Sequence, residues 1–209
     1  MASAVPMKLT DLVEVCTIPL PVFQRQRMNQ LLLGTKHIYI RVNGKTFGTP
    51  FTAKHTYFGG DAYLYSEDIY ARDEENLKQE KCFKVLHPET MNGNEFAKKV
   101  ECISEKMTNP LKSSHSDLTR SWYPVFDYHG LNNNCGSMAD YLVSCGGGQV
   151  RKLINYSVGN KVPLSKKAKI VTMGEKEKVD VSSYGEICEK ALLECEEPSA
   201  ESLVVDVVE

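Results

Sequence analysis

The sequence has no C-x-x-C pair, no apolar run near the roughly 18 residues that a membrane helix needs, and no basic start followed by an apolar stretch in residues 1–11. The first absence argues against a zinc ribbon and a thioredoxin-type redox motif, the second against a helical membrane span, and the third against a secretory leader. A basic excess is missing too. Lys and Arg number 25 against 27 Asp and Glu, for a net charge of −2, so general binding to nucleic acid is not expected. Seven cysteines, at 16, 82, 102, 135, 145, 188 and 195, are odd in number and follow no framework spacing. They read as single thiols in a reducing, cytoplasmic setting, most of them small buried hydrophobes, with a delivered effector as the alternative.

What is present is the balance of a globular chain: 209 residues, 42% hydrophobic and 25% charged, enough for one good-sized domain. The sharpest local signal is HIYIRVNGKTFG at 37–48. Ile38, Ile40 and Val42 alternate with His37, Tyr39 and Arg41, the period of a half-buried strand, and Asn43-Gly44 supplies a type I′ hairpin turn. That turn sets Val42 opposite Lys45 and His37 opposite Pro50.

Around the hairpin, residues 12–19 read as extended and 22–33 as a helix stopped by Gly34. Strands are expected at 62–66 and 82–86, with a loop or short exposed helix at 68–81 between them. A helix at 94–107 has Phe96, Val100 and Ile103 at helical spacing; a polar loop and the aromatic stretch 122–126 follow. Residues 149–156 read as helical, 161–169 as a Lys-rich loop and 184–193 as a weak helix. The organisation expected is a single domain over 1–195 and a mobile acidic tail over 196–209.

The segment with chemistry is HGLNNNCGSMADYLVSCGGG at 129–148. Asn134 is a good N-cap, Met138, Ala139, Leu142 and Cys145 form an apolar stripe, and glycines end the helix. Cys135 then stands in the first turn, where amide groups and the helix dipole favour thiolate over thiol and can receive an oxyanion. His37 is the preferred base and His55 a candidate orienting residue. Asn132, Asn133, Asn134 and Tyr39 are candidate oxyanion or substrate contacts. Plainer readings stand beside these: Cys135 as a core residue, His37 as a structural histidine, His129 as a loop residue near the site. A zinc site from His129, Cys135 and Cys145 lacks the paired short spacing such sites use, so no metal or cofactor is expected.

A strand opening on His37, a hairpin through GKTFG, a later helix and then NNCGSMADYL resemble the circularly permuted papain-like thiol hydrolases. These include permuted relatives of the NlpC-type amidases, the lecithin–retinol acyltransferase type and the PPPDE isopeptidases. In them His precedes Cys and the Cys opens a helix packed on a small antiparallel sheet. Asn134-Cys135, and Phe83-Lys-Val before the 94–107 helix, are most similar to the PPPDE branch. The chain departs from the pattern at Gly136-Ser137 and in having no His-x-His pair.

The resemblance covers about residues 35–150. It implies an α+β permuted papain-like fold, helices on one side of a small antiparallel sheet, and a thiol hydrolase cleaving an amide, peptide or isopeptide bond of a protein or peptide substrate. Cys135 would be the nucleophile and His37 the base. An acyltransferase or phospholipase, a bacterial-wall-type amidase or effector, and a non-catalytic interaction or toxin-like protein are the alternatives.

Overall fold

The computed structural model describes residues 5–19, 36–49, 60–67, 74–110, 122–128, 134–150, 168–172, 178–181 and 183–196. Among them the chain mixes helices with antiparallel sheets. The strands are β1 (Met7–Pro19), β2 (Lys36–Val42), β3 (Lys45–Gly48), β4 (Gly60–Ala62), β5 (Tyr65–Ser66), β6 (Lys81–Pro88), β7 (Trp122–Tyr128), β8 (Ala168–Thr172) and β9 (Lys178–Val181). A four-residue helix α1 (Glu74–Leu77) precedes β6; the longer helices are α2 (Gly93–Met107), α3 (Cys135–Cys145) and α4 (Tyr184–Glu196). One sheet runs β5-β3-β2-β1-β6 and the other β4-β7-β8-β9.

The hairpin forms as its residues dictate. Asn43 and Gly44 have φ of 48° and 84°, and Val42 pairs with Lys45. β1 lies on the other flank of β2, pairing Val15 with Ile40, Cys16 with Tyr39 and Ile18 with His37. Directly opposed residues share a face, so this register sorts the pair into two surfaces. Val13, Val15, Ile38, Ile40 and Val42 face one core with Phe96, Val100 and Ile103 of α2 and Met138 and Leu142 of α3. Cys16, Ile18 and Tyr39 form a separate cluster on the other face.

Both helices enter through full capping boxes. Asn92 caps α2 and exchanges hydrogen bonds with Glu95, and Asn134 caps α3 and does the same with Ser137. Two glycines beyond α3 are fixed for different reasons. Gly147 takes φ of 89°, the left-handed turn that lets its N–H reach the Ser144 carbonyl. Gly148 lies where a Cβ would sit 2.4 Å from Phe96 Cζ and 2.8 Å from the Leu86 carbonyl oxygen. This close approach lets Gln149 exchange two backbone hydrogen bonds with Leu86, adding a bridge to the edge of β6.

Several expectations need correction. The first strand begins at Met7, and residues 62–66 divide between two sheets, β4 and β5. Among the described residues there are two antiparallel sheets where one small sheet was expected. Gln149 lies in a β-bridge, and Lys169 in strand β8, because hydrogen-bonding partners distant in sequence claim these backbones. α4 runs on to Glu196, so the helix includes the first residue assigned to the tail. Residues 22–33, Pro50 and 197–209 lie outside the described residues.

The largest correction concerns the cysteines. Cys16–Cys82, Cys102–Cys195 and Cys145–Cys188 are disulfides, joining β1 to β6, α2 to α4 and α3 to α4. The single-thiol reading fails because spacing along the chain carries no information about cysteines 43 to 93 residues apart that meet only in the fold. Each bridge closes a long loop, which in the chain-entropy account stabilises the fold by roughly 4 kcal/mol.

Replacing Gly148 with Ala is expected to destabilise the fold by about 1–3 kcal/mol in urea unfolding, because the methyl group must displace Phe96 or the β6 backbone. Unchanged stability would show that this contact is not tight.

Candidate functional site

α3 packs on the apolar face of β2, and its first residue is Cys135. The side chain is 8% exposed and belongs to the main core cluster. It is also the one free cysteine among the seven. The thiol that the sequence singled out is thus the one that stays outside the disulfides.

The amides of the first turn are arranged differently from the expectation. Asn134 Oδ1 accepts from Gly136 N at 3.0 Å and Ser137 N at 3.3 Å. The Asn134 side chain is therefore the N-cap of α3, as its place before the helix led one to expect. A carboxamide oxygen two and three residues away outcompetes a diffusing ligand for those donors. The Cys135 amide is not used by this cap.

His37 is the second residue of β2 and is buried. Its ring stacks on Tyr39 with centroids 5.9 Å apart, on the face that carries Cys16 and Ile18. Cys135 packs on the Ile38, Ile40 and Val42 side. α3 packs on the strand that holds His37; the imidazole shares the Tyr39 face of that strand, and Cys135 belongs to the core cluster of the other face.

Tyr39 is likewise reassigned. It is fully buried and its hydroxyl donates to Glu80, which also receives Arg41 Nη2 at 2.5 Å. Arg41 bridges on to Glu14 at 3.5 Å. Burial, with the nearby Glu14 charge, pushes the Glu80 carboxyl above its ordinary range. Tyr39 thus locks a polar cluster instead of lining a substrate site. Glu14, Cys16 and Cys82 come close enough to suggest a metal site, but their sulfurs are bonded to each other and only Glu14 remains as a ligand. Cys145, weighed for zinc, is bonded to Cys188. His55, His129, Asn132 and Asn133 lie outside the described residues.

Sequence reasoning missed Tyr184. It stacks on Phe126, its carbonyl accepts the Tyr141 hydroxyl at 2.7 Å, and its own hydroxyl accepts the Asp127 amide at 3.2 Å. It fastens α4 to α3 and β7. Burial raises the Tyr141 hydroxyl well above the usual tyrosine range. The only local signal was one aromatic at the start of a weakly patterned helix.

Compared with known proteins, the chain matches no family model, no curated protein and no solved structure. The site therefore rests on its own geometry.

Two measurements check this description. Thiol titration of the unfolded, unreduced protein should count one reactive cysteine, located at 135 by mass spectrometry, and seven after reduction. Asn134→Ala should cost about 1 kcal/mol in stability, with Asn134→Ser recovering most of it. Stability unchanged by Asn134→Ala would return that residue to a substrate role.

Proposed function

We propose that the protein is a thiol hydrolase of permuted papain-like plan, cleaving an amide, peptide or isopeptide bond with Cys135 as nucleophile. The observation that carries the proposal is that Cys135 alone escapes disulfide pairing while opening a capped helix seated on the strand whose second residue is His37. The Cys135 thiolate attacks the carbonyl carbon, the developing oxyanion takes the Cys135 amide, and the proton passes to the base. The protonated base returns that proton to the leaving amine as the C–N bond breaks. Water then attacks the thioester, gives a proton to the base, and releases the acid. His37 is the base proposed from the sequence; its ring stacks on Tyr39, on the other face of β2, so the reading is carried by Cys135. Three disulfides support an oxidising setting, secreted or delivered, over the cytoplasm for this reading.

A second reading has an observation of its own. With the imidazole stacked on Tyr39 and the Gly136 and Ser137 amides capped by Asn134, the same scaffold can be a disulfide-stapled interaction protein without chemistry.

Iodoacetamide alkylation followed at Cys135 separates the two. In the hydrolase, His37→Gln slows alkylation at neutral pH by about tenfold or more. Cys135→Ala lowers hydrolysis of a peptide amide by at least about 10³-fold with the fold intact. Alkylation that is slow in the native protein and indifferent to His37→Gln establishes the interaction protein.

A further inference from the structure

A different end of the molecule carries an open cleft of about 700 Å³, between β1, the end of β6 and the start of α2. Its residues include Lys8, Leu9, Thr10, Leu12, His87 and Gly93. The far end of α3 abuts Phe96, on which His87 stacks with centroids 5.4 Å apart. Eleven helical residues separate that end from Cys135, a length of about 16 Å. The cleft is therefore distinct from the thiol site.

His87 is 1% exposed, yet only one of its ring nitrogens is engaged: Nδ1 lies 3.0 Å from the Pro88 carbonyl oxygen, to which it donates. Nε2 has no hydrogen-bond partner among the described residues and points toward Gly93, 3.9 Å from where a Cβ would stand. Nε2 is reached from the open cleft that His87 lines, so a group bound there can pair with it.

The surroundings say what that is. Asn92 Oδ1 takes the Glu95 amide, so the cap leaves the Gly93 and Asn94 N–H groups at the positive end of a 15-residue helix. The Thr10 hydroxyl accepts the Leu12 amide at 3.1 Å and keeps its own proton to donate. Lys8 and Lys98 stand exposed at the rim and pair with no acid among the described residues. The two carboxylates nearby are engaged: Asp11 with Lys84, and Glu95 with the Asn92 amide. Glycine at position 93 holds the floor open, since a Cβ would press on Thr10 Oγ1 at 3.3 Å.

From this we infer that the cleft binds the phosphate group of a small phosphate monoester. Amides, a hydroxyl and two ammonium groups offer more donors than the two oxygens of a carboxylate can use, whereas a phosphate presents three terminal oxygens. With a second ionisation near neutrality, phosphate also supplies the acidic proton that Nε2 can accept. Half-exposed Leu9, with Leu12 beside it, provides the apolar wall for the organic part of the ester.

The test is calorimetric titration of the full chain with phenyl phosphate, inorganic phosphate and benzoate. Phenyl phosphate should saturate one site, at least about tenfold tighter than inorganic phosphate, with benzoate weaker than both. Gly93→Ala and the surface change Lys98→Gln should each weaken phenyl phosphate by about fivefold or more, while Cys135→Ala leaves it unchanged. Absence of saturation up to about 10 mM, equal affinity for benzoate, or binding indifferent to both Gly93→Ala and Lys98→Gln would overturn the inference. Because Cys135→Ala abolishes the proposed hydrolysis but spares this site, the two proposals fail separately.

Discussion

The pairing of β1 with β2 is the constraint on which the rest of the structure depends. Its register opposes Val15 to Ile40 and Cys16 to Tyr39, so apolar residues of both strands fall on one face and the disulfide and polar residues on the other. A slip by one residue would invert every side chain. The apolar face then seats α2 and α3, and the opposite face holds Tyr39, Arg41, Glu14 and Glu80 in one hydrogen-bonded group beside the Cys16–Cys82 bridge. Lys45 and Asn43 at the hairpin tip reach Glu101 and Glu105 of α2, and these hydrogen bonds, led by Glu101, push the Lys45 ammonium up to about 12. The lysine is half exposed, so the contact orients the hairpin more than it stabilises the fold.

Around this pair the second half of the chain is fastened at a few points. α4 has a weak apolar stripe of its own, burying Tyr184, Ile187 and Ala191. It is held by two disulfides, by Tyr184 against Phe126, and by Glu194, which accepts from the Trp122 indole. Lys190 stands 5.0 Å over that indole ring. Covalent bonds thus take over where burial is thin, as in small disulfide-rich domains. The same bonds account for six thiols and leave Cys135 outside any disulfide.

Much of the local structure was legible. The hairpin, the helix over 94–107 and the entry of α3 at Asn134 each follow from contiguous residues: a positive-φ turn pair, an apolar spacing of three and four, a carboxamide before a helix. Cys135 was legible as distinctive for the same reason. The site's assembly was not. That Asn134 would close the amides at Gly136 and Ser137, and that His37 would turn to Tyr39, depends on which face of β2 the helix covers.

By itself the sequence determined where the chain turns, where its helices begin and which strand residues alternate, because those outcomes depend on φ preferences, caps and periodicity within a few residues. Only the tertiary structure decided which cysteines pair, which side of β2 lies under α3, and that His87 meets the start of α2 with Nε2 unpaired. Those facts join groups from separate elements. Hydrogen bonds and disulfides act over a few ångströms, and no pattern along the backbone records which distant atoms come within that range.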